Sequence, residues 1–172
     1  VDFHVFSRLK NNDANITRTP YFCSYCNKIK MTAEKQERYD RAYLKMAQEW
    51  AKLSHCVRKK VGALLVKDGM LISDGYNGTP SGFPNVCETE ESETHWYVLH
   101  AEANAILKIA RSSNDAKDST LYITLSPCKE CCKLILQAGV NRLVYMHEYK
   151  DTTGLDFLRN AELEIVQIPD VI

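Results

Sequence analysis

The sequence predicts an α/β fold in which a mixed sheet is covered by helices on both faces. Three observations carry this expectation. The 172 residues, 45% hydrophobic and 26% charged, have the size and composition of one soluble globular domain, long enough for a real core but not for two full domains. A tight-turn dipeptide, Asp68-Gly69, separates two short apolar segments and so signals a hairpin. Beyond residue 100, helix-like and strand-like segments alternate, the order that brings strands side by side with helices packed across them.

Taken in order, residues 1–30 keep no helical or strand period, and Asn11-Asn12-Asp13-Ala14-Asn15 reads as loop. Met31 is expected to be the natural start, with 1–30 an extension and 31–172 the working domain. Thr32 can cap a helix whose Tyr39, Tyr43, Met46, Ala47 and Trp50 form a core-facing stripe. The hairpin strands are Val61 to Lys67 and Leu71 to Tyr76. A long polar stretch from Asn77 to Thr94, rich in Gly, Pro and Glu, is expected to be a functional loop. Then come a helix from about His100 to Ile109, a strand Leu121 to Thr124, a helix Cys128 to Ala138 and a strand Leu143 to Met146. A short helix near Leu155 to Arg159 and a strand Glu164 to Ile168 complete the series. No internal repeat or low-complexity tract interrupts it.

Composition narrows the function classes. No apolar run approaches the roughly 20 residues of a spanning helix, and Val1-Asp-Phe-His-Val-Phe6 lacks the basic-then-apolar order of a secretory signal; a cytoplasmic protein without membrane partners is expected. The total formal charge is zero, yet residues 1–30 hold five basic and two acidic groups, which leaves minus three from Met31 onward. That balance is a poor footprint for nucleic acid, whose nonspecific affinity comes from Lys and Arg on phosphates. A small substrate fits better.

Four of the seven cysteines (Cys23, Cys26, Cys128, Cys131) stand in two Cys-x-x-Cys spacings. Without a secretory signal this favours metal or redox chemistry over a disulfide framework. Cys23-x-x-Cys26 has no evident partner pair and is read as incidental to the extension, and Cys132 as core. Two other fragments open the central helices, His100-Ala101-Glu102 and Pro127-Cys128-Lys129-Glu130-Cys131. One imidazole and two thiolates suit tetrahedral Zn2+ with a fourth position open to water. Cys128 and Cys131 lie on one helical face near a positive helix end, which favours thiolate. Glu102, two residues from a ligand, cannot share that ligand's face in a regular helix and is expected to reach the water as proton carrier. Zinc lowers the pKa of its water from 15.7 toward about 7, and Glu102 can take up the proton and pass it to a leaving group. H-x-E followed by P-C-x-x-C is the signature of the zinc nucleobase deaminases.

Four segments, His100-Ala-Glu-Ala-Asn-Ala-Ile106, Thr124-Leu-Ser-Pro-Cys-Lys-Glu-Cys131, Val61-Gly-Ala-Leu-Leu-Val-Lys-Asp-Gly69 and Gly75-Tyr-Asn-Gly-Thr-Pro-Ser-Gly82, resemble the deoxycytidylate deaminases within the cytidine and deoxycytidylate deaminase superfamily. The likeness covers about residues 38–168. It implies a three-layer α/β/α fold with a mixed, about five-stranded sheet, and conversion of dCMP and water to dUMP and ammonia, supplying dUMP for thymidylate synthesis. It implies one catalytic Zn2+ on His100, Cys128 and Cys131, with Glu102 as proton shuttle. Asn77 would meet the deoxyribose 3′-hydroxyl, or merely make a turn with Gly78; Tyr149 would contact the nucleotide, or be a partly exposed aromatic. Ala101 joins them as a substrate-binding candidate. Arg58, with Lys59 and Lys60, is the candidate for the 5′-phosphate, against the reading of a solvated turn. Some viral members carry a second, structural zinc; here Cys56, Cys87 and His95 would hold it, but the family glutamate falls at Val98, and the competing reading is a buried Cys56 and a loop thiol at Cys87. The resemblance also implies dCTP with Mg2+ as activator, dTTP as inhibitor and a homo-oligomer, a hexamer. The competing readings are a relative acting on another pyrimidine or on tRNA adenosine, and a zinc-stabilised binding module without turnover. The acidic balance and Ser126, where tRNA-acting relatives tend to carry Glu, oppose the tRNA reading; Glu102 opposes the binding module.

Overall fold

The computed structural model describes residues 31–169. The reading of 1–30 as an extension, with its Cys23-x-x-Cys26, lies outside the described residues. Within them the chain forms α1 (Ala33–Ala51), β1 (Gly62–Lys67), β2 (Met70–Tyr76), α2 (Ala101–Ile109), β3 (Thr120–Leu125), α3 (Lys129–Gln137), β4 (Arg142–His147), α4 (Thr153–Asn160) and β5 (Glu164–Gln167). None of these helices is long and apolar enough to cross a membrane.

The strands make one mixed sheet in the order β2-β1-β3-β4-β5. The β1–β2 and β1–β3 pairs are antiparallel, and β3–β4 and β4–β5 are parallel. Asp68 (φ 51°) and Gly69 (φ 76°) close the hairpin, the left-handed pair that matches the strands' twist. The central strands are buried on both faces, as crossover helices require. Ala63, Leu65, Leu121, Ile123 and Leu143 point to one side, where they meet Ala105 of α2, Ile135 of α3 and Leu155 and Leu158 of α4. Leu64, Val66, Tyr122, Val144 and Met146 point to the other, against Leu44 and Ala47 of α1. The result is the expected three-layer arrangement.

Thr32 caps α1 as expected, its hydroxyl accepting from the Lys35 N–H at 3.3 Å. The buried stripe differs from the expected one: it runs Asp40, Leu44, Ala47, Ala51, while Tyr39 is 44% exposed. The aromatics sit at the rim, where Tyr43 donates to the Gly69 carbonyl at 2.9 Å and the Trp50 indole donates to Asp74 at 2.7 Å. The stripe can include a carboxylate because Asp40 is fully partnered. Arg142 grips it with two parallel bonds of 2.8 Å, and Tyr122 and Gln36 each donate at 2.8 Å. Burial pushes the Asp40 carboxyl up, but these donors outweigh it and hold its pKa below the ordinary value.

Candidate active site

The cluster begins with two helix starts that do not cap themselves. His100 and Cys128 are the N-cap residues of α2 and α3, both extended (ψ 159° and 165°), and neither side chain makes a capping hydrogen bond. Their carbonyls accept from Asn104 and Cys132 at 3.0 and 2.9 Å, which starts each helix and leaves both side chains free to face each other. His100 Nδ1 lies 3.5 Å from Cys128 Sγ and 3.4 Å from Cys131 Sγ. A tetrahedral zinc with bonds of about 2.1 Å to nitrogen and about 2.3 Å to sulfur separates those atoms by roughly 3.5 Å, so the donor set fits the ion in chemistry and in spacing. All three donor atoms lie within 4.8 Å of one another, and among the described residues no fourth His, Cys, Asp or Glu joins them.

The three donor groups titrate as one coupled set. The hydrogen bond from Cys131 pulls the Cys128 thiol down to about 3, against burial, with His100 adding to the effect. The same bond, together with burial, pushes Cys131 up. His100 is raised chiefly by its bond with Cys128. Glu102 is 4% exposed, and burial raises its carboxyl to about 6 although its own backbone amide and His100 oppose this. A carboxyl held near neutrality beside a metal-ligand cluster is equipped to accept and return a proton.

The turn that bears the sulfurs is braced from behind. Cys132, fully buried, donates its thiol to the Pro127 carbonyl at 3.7 Å. Gly154, in the first turn of α4, packs so closely that a Cβ there would stand 2.7 Å from Cys132 Sγ and 3.1 Å from both Cα and N of Lys129.

A cleft of about 270 Å3 opens over the cluster. His100, Ala101, Glu102, Cys128, Leu125 and Ser126 form its floor, and Asn77, Tyr149, Arg58, Lys59, Lys150 and Glu88 are among its walls. Of the expected substrate residues, Arg58, Lys59, Asn77, Ala101 and Tyr149 line one space, and Lys60 does not. Asn77 also serves the backbone: its amide oxygen accepts from the Val61 N–H and its nitrogen donates to the Lys59 carbonyl, both at 2.8 Å. Ser126, nearly buried, accepts from the Tyr149 N–H at 2.8 Å and so sets that residue's place at the cleft. Arg58 reaches Thr94 Oγ1 at 3.4 Å.

Of the residues expected to hold a second metal, Cys56 and Cys87 are joined here as a disulfide, and the His95 ring stacks on Tyr97 with centroids 4.9 Å apart. Glu88, Thr94 and Lys150 line the cleft without having been singled out in the sequence. Lys150 directly follows Tyr149 and could have been suspected; Glu88 is one of four glutamates in a loop without periodicity, and nothing local marks it.

Comparison with known proteins follows the same lines. A family model described as the cytidine and deoxycytidylate deaminase zinc-binding region matches residues 37–147. Deoxycytidylate deaminase of Enterobacteria phage T4 is 34% identical over 159 residues, covering 67% of this chain and 82% of that protein. The Saccharomyces cerevisiae deoxycytidylate deaminase is 28% identical over 182 residues, covering 95% of this chain and 58% of the yeast protein. The crystal structure of dCMP deaminase from the cyanophage S-TIM5 in complex with dCMP and dUMP superposes with a TM-score of 0.74 at 45% identity, covering 80% of this chain and 99% of that one.

Proposed function

Because the chain belongs to the cytidine and deoxycytidylate deaminase family, we propose that its cleft hydrolyses the amino group of dCMP to give dUMP and ammonia. The observation that carries this reading is Glu102, a buried carboxyl poised near neutrality beside one imidazole and two sulfurs spaced for a single metal ion. A zinc ion on His100, Cys128 and Cys131 supplies Lewis acidity that lowers the pKa of water from 15.7 toward about 7. Glu102 takes a proton from the attacking water and delivers it to N3 of the cytosine ring as oxygen bonds to C4. It then carries the remaining hydroxyl proton to the exocyclic amine, which leaves as ammonia while C4 becomes a carbonyl. Burial keeps bulk water from competing with that transfer.

The walls fit the rest of the nucleotide. Tyr149, held by Ser126, offers an aromatic surface to the base or sugar, and Asn77 and the Ala101 backbone offer hydrogen bonds. Arg58 serves the 5′-phosphate, with Lys59 at hand. A cleft of about 270 Å3 lies just below the roughly 300–1,000 Å3 of ordinary small-ligand pockets and suits one nucleotide. The proposal extends to a cytoplasmic homo-oligomer, a hexamer, activated by dCTP with Mg2+ and inhibited by dTTP. The groove beside Tyr76, Gly78 and Ser81, with Lys108 and Arg111 on its wall, supports an effector phosphate there. The direct test is to incubate the zinc-loaded protein separately with dCMP, dCTP, deoxycytidine and CMP and to measure ammonia. Turnover of dCMP is expected, and a zinc-replete protein that leaves dCMP intact would overturn the reading.

A further inference from the structure

The cationic wall of the cleft contains one carboxylate. Arg58, Lys59 and Lys150 share it with Glu88. Glu88 is fastened there by main-chain donors: its Oε1 accepts from the N–H groups of Val57 at 3.0 Å and Arg58 at 3.1 Å. The disulfide joins the neighbouring residues, Cys56 and Cys87, the His95 N–H donates to the Cys87 carbonyl at 2.9 Å, and Arg58 bonds Thr94 at 3.4 Å. These bonds hold the carboxylate at the cleft wall. No ion pair neutralises it among the described residues.

Three cations and one carboxylate give a wall of net charge plus two. A nucleoside monophosphate carries close to minus two at neutral pH, since a phosphate monoester's second pKa is about 6, and so matches the wall. A triphosphate brings roughly two further negative charges, and these would lie beside a fixed like charge with no cation left over. We propose that Glu88 determines the specificity of the cleft for nucleoside monophosphates by holding a negative charge against the β- and γ-phosphates of longer chains. The proposal rests on the dCMP reading above and adds a second discriminating element to it.

Glu88→Gln tests this, because the amide oxygen can keep both hydrogen bonds from Val57 and Arg58 while the charge disappears. With dCMP, dCDP and dCTP each supplied alone and without added Mg2+, the ratio of kcat/KM for dCTP to that for dCMP should rise at least tenfold in Glu88→Gln, with dCDP between. Glu88→Ala should raise it similarly, whereas Glu88→Asp, which keeps the charge, should not. A ratio that stays at the wild-type value in both Gln and Ala variants, or rises equally in Asp, overturns the proposal. Should the Gln variant not fold, the contrast between Ala and Asp still decides. Failure of the underlying reading is seen separately, as wild-type protein that does not deaminate dCMP.

Discussion

Replacing Gly154 by alanine should loosen the metal site from outside it. The new methyl would stand 2.7 Å from Cys132 Sγ and 3.1 Å from the Lys129 backbone, where comfortable heavy-atom contacts begin at about 3.5 Å. Either α4 retreats by nearly 1 Å or the first turn of α3 gives way, and that turn carries Cys128 and Cys131. Overpacking of this kind costs about 1–3 kcal/mol, while exchanging a helical glycine for alanine returns about 1 kcal/mol, so the net loss of global stability is roughly 0–2 kcal/mol. The effect on zinc should be larger in proportion. Displacing groups that orient metal ligands typically costs about 10–100-fold in affinity. Competition with a chromophoric chelator measures the affinity, and thermal melting of the same samples measures the stability. Adding Cys132→Ala removes the closest contact and should recover part of the loss, with the 3.1 Å contacts to Lys129 preventing full recovery. A folded Gly154→Ala protein with wild-type zinc affinity would refute the argument that α4 braces the ligand turn.

Three further outcomes are expected. Glu102→Gln should keep its zinc, measured by elemental analysis, and lose about 10²–10⁴-fold in deamination rate; a near-normal rate would remove Glu102 as proton carrier. Arg58→Ala should raise KM for dCMP about tenfold, the worth of one charge-assisted hydrogen bond of about 1.5 kcal/mol, with little change for deoxycytidine; equal effects on both substrates would take the phosphate away from Arg58. Arg142→Met should cost about 3–5 kcal/mol at pH 7 because it strands the Asp40 charge, whose side chain is 3% exposed. Since the native Asp40 pKa is lowered, its contribution is present above the unfolded value of about 3.9 and is lost as pH falls through the native one. The gap between wild type and variant in urea unfolding should therefore narrow toward pH 3, and a constant gap would contradict the assignment.

What could be read from the sequence is what local spacing encodes. His-x-Glu and Pro-Cys-x-x-Cys carry their meaning within a few residues, and the hairpin is announced by Asp68-Gly69 alone. The stripe of α1 departs from the one expected, with Tyr39 exposed and Asp40 buried, because periodicity assigns a carboxylate to water. What reverses that assignment is Arg142, 102 positions away, and no window on the helix contains it. Cys56 and Cys87 are ambiguous for a related reason: thiols suited to a metal and thiols suited to each other have one spelling, and the path of the loop that brings these two together is not local to either. Glu88 and Thr94 reach the cleft only because that loop is pinned to the segment before β1.

The bidentate grip of Arg142 on Asp40 also has a place in time. During synthesis Asp40 emerges 102 residues ahead of its partner, an interval of about 5–20 s at about 5–20 residues per second. Throughout it the first helix carries on its inward side an acid answered only by Gln36 of the same helix and, late in the interval, by Tyr122, so settling early onto the nascent hairpin would bury a charge without its cation. Final docking must wait for the fourth strand. The first helix to be made is thus among the last to be seated, and ribosome-stalled chains ending before and after residue 142 should differ in how readily a protease cuts within residues 33–51.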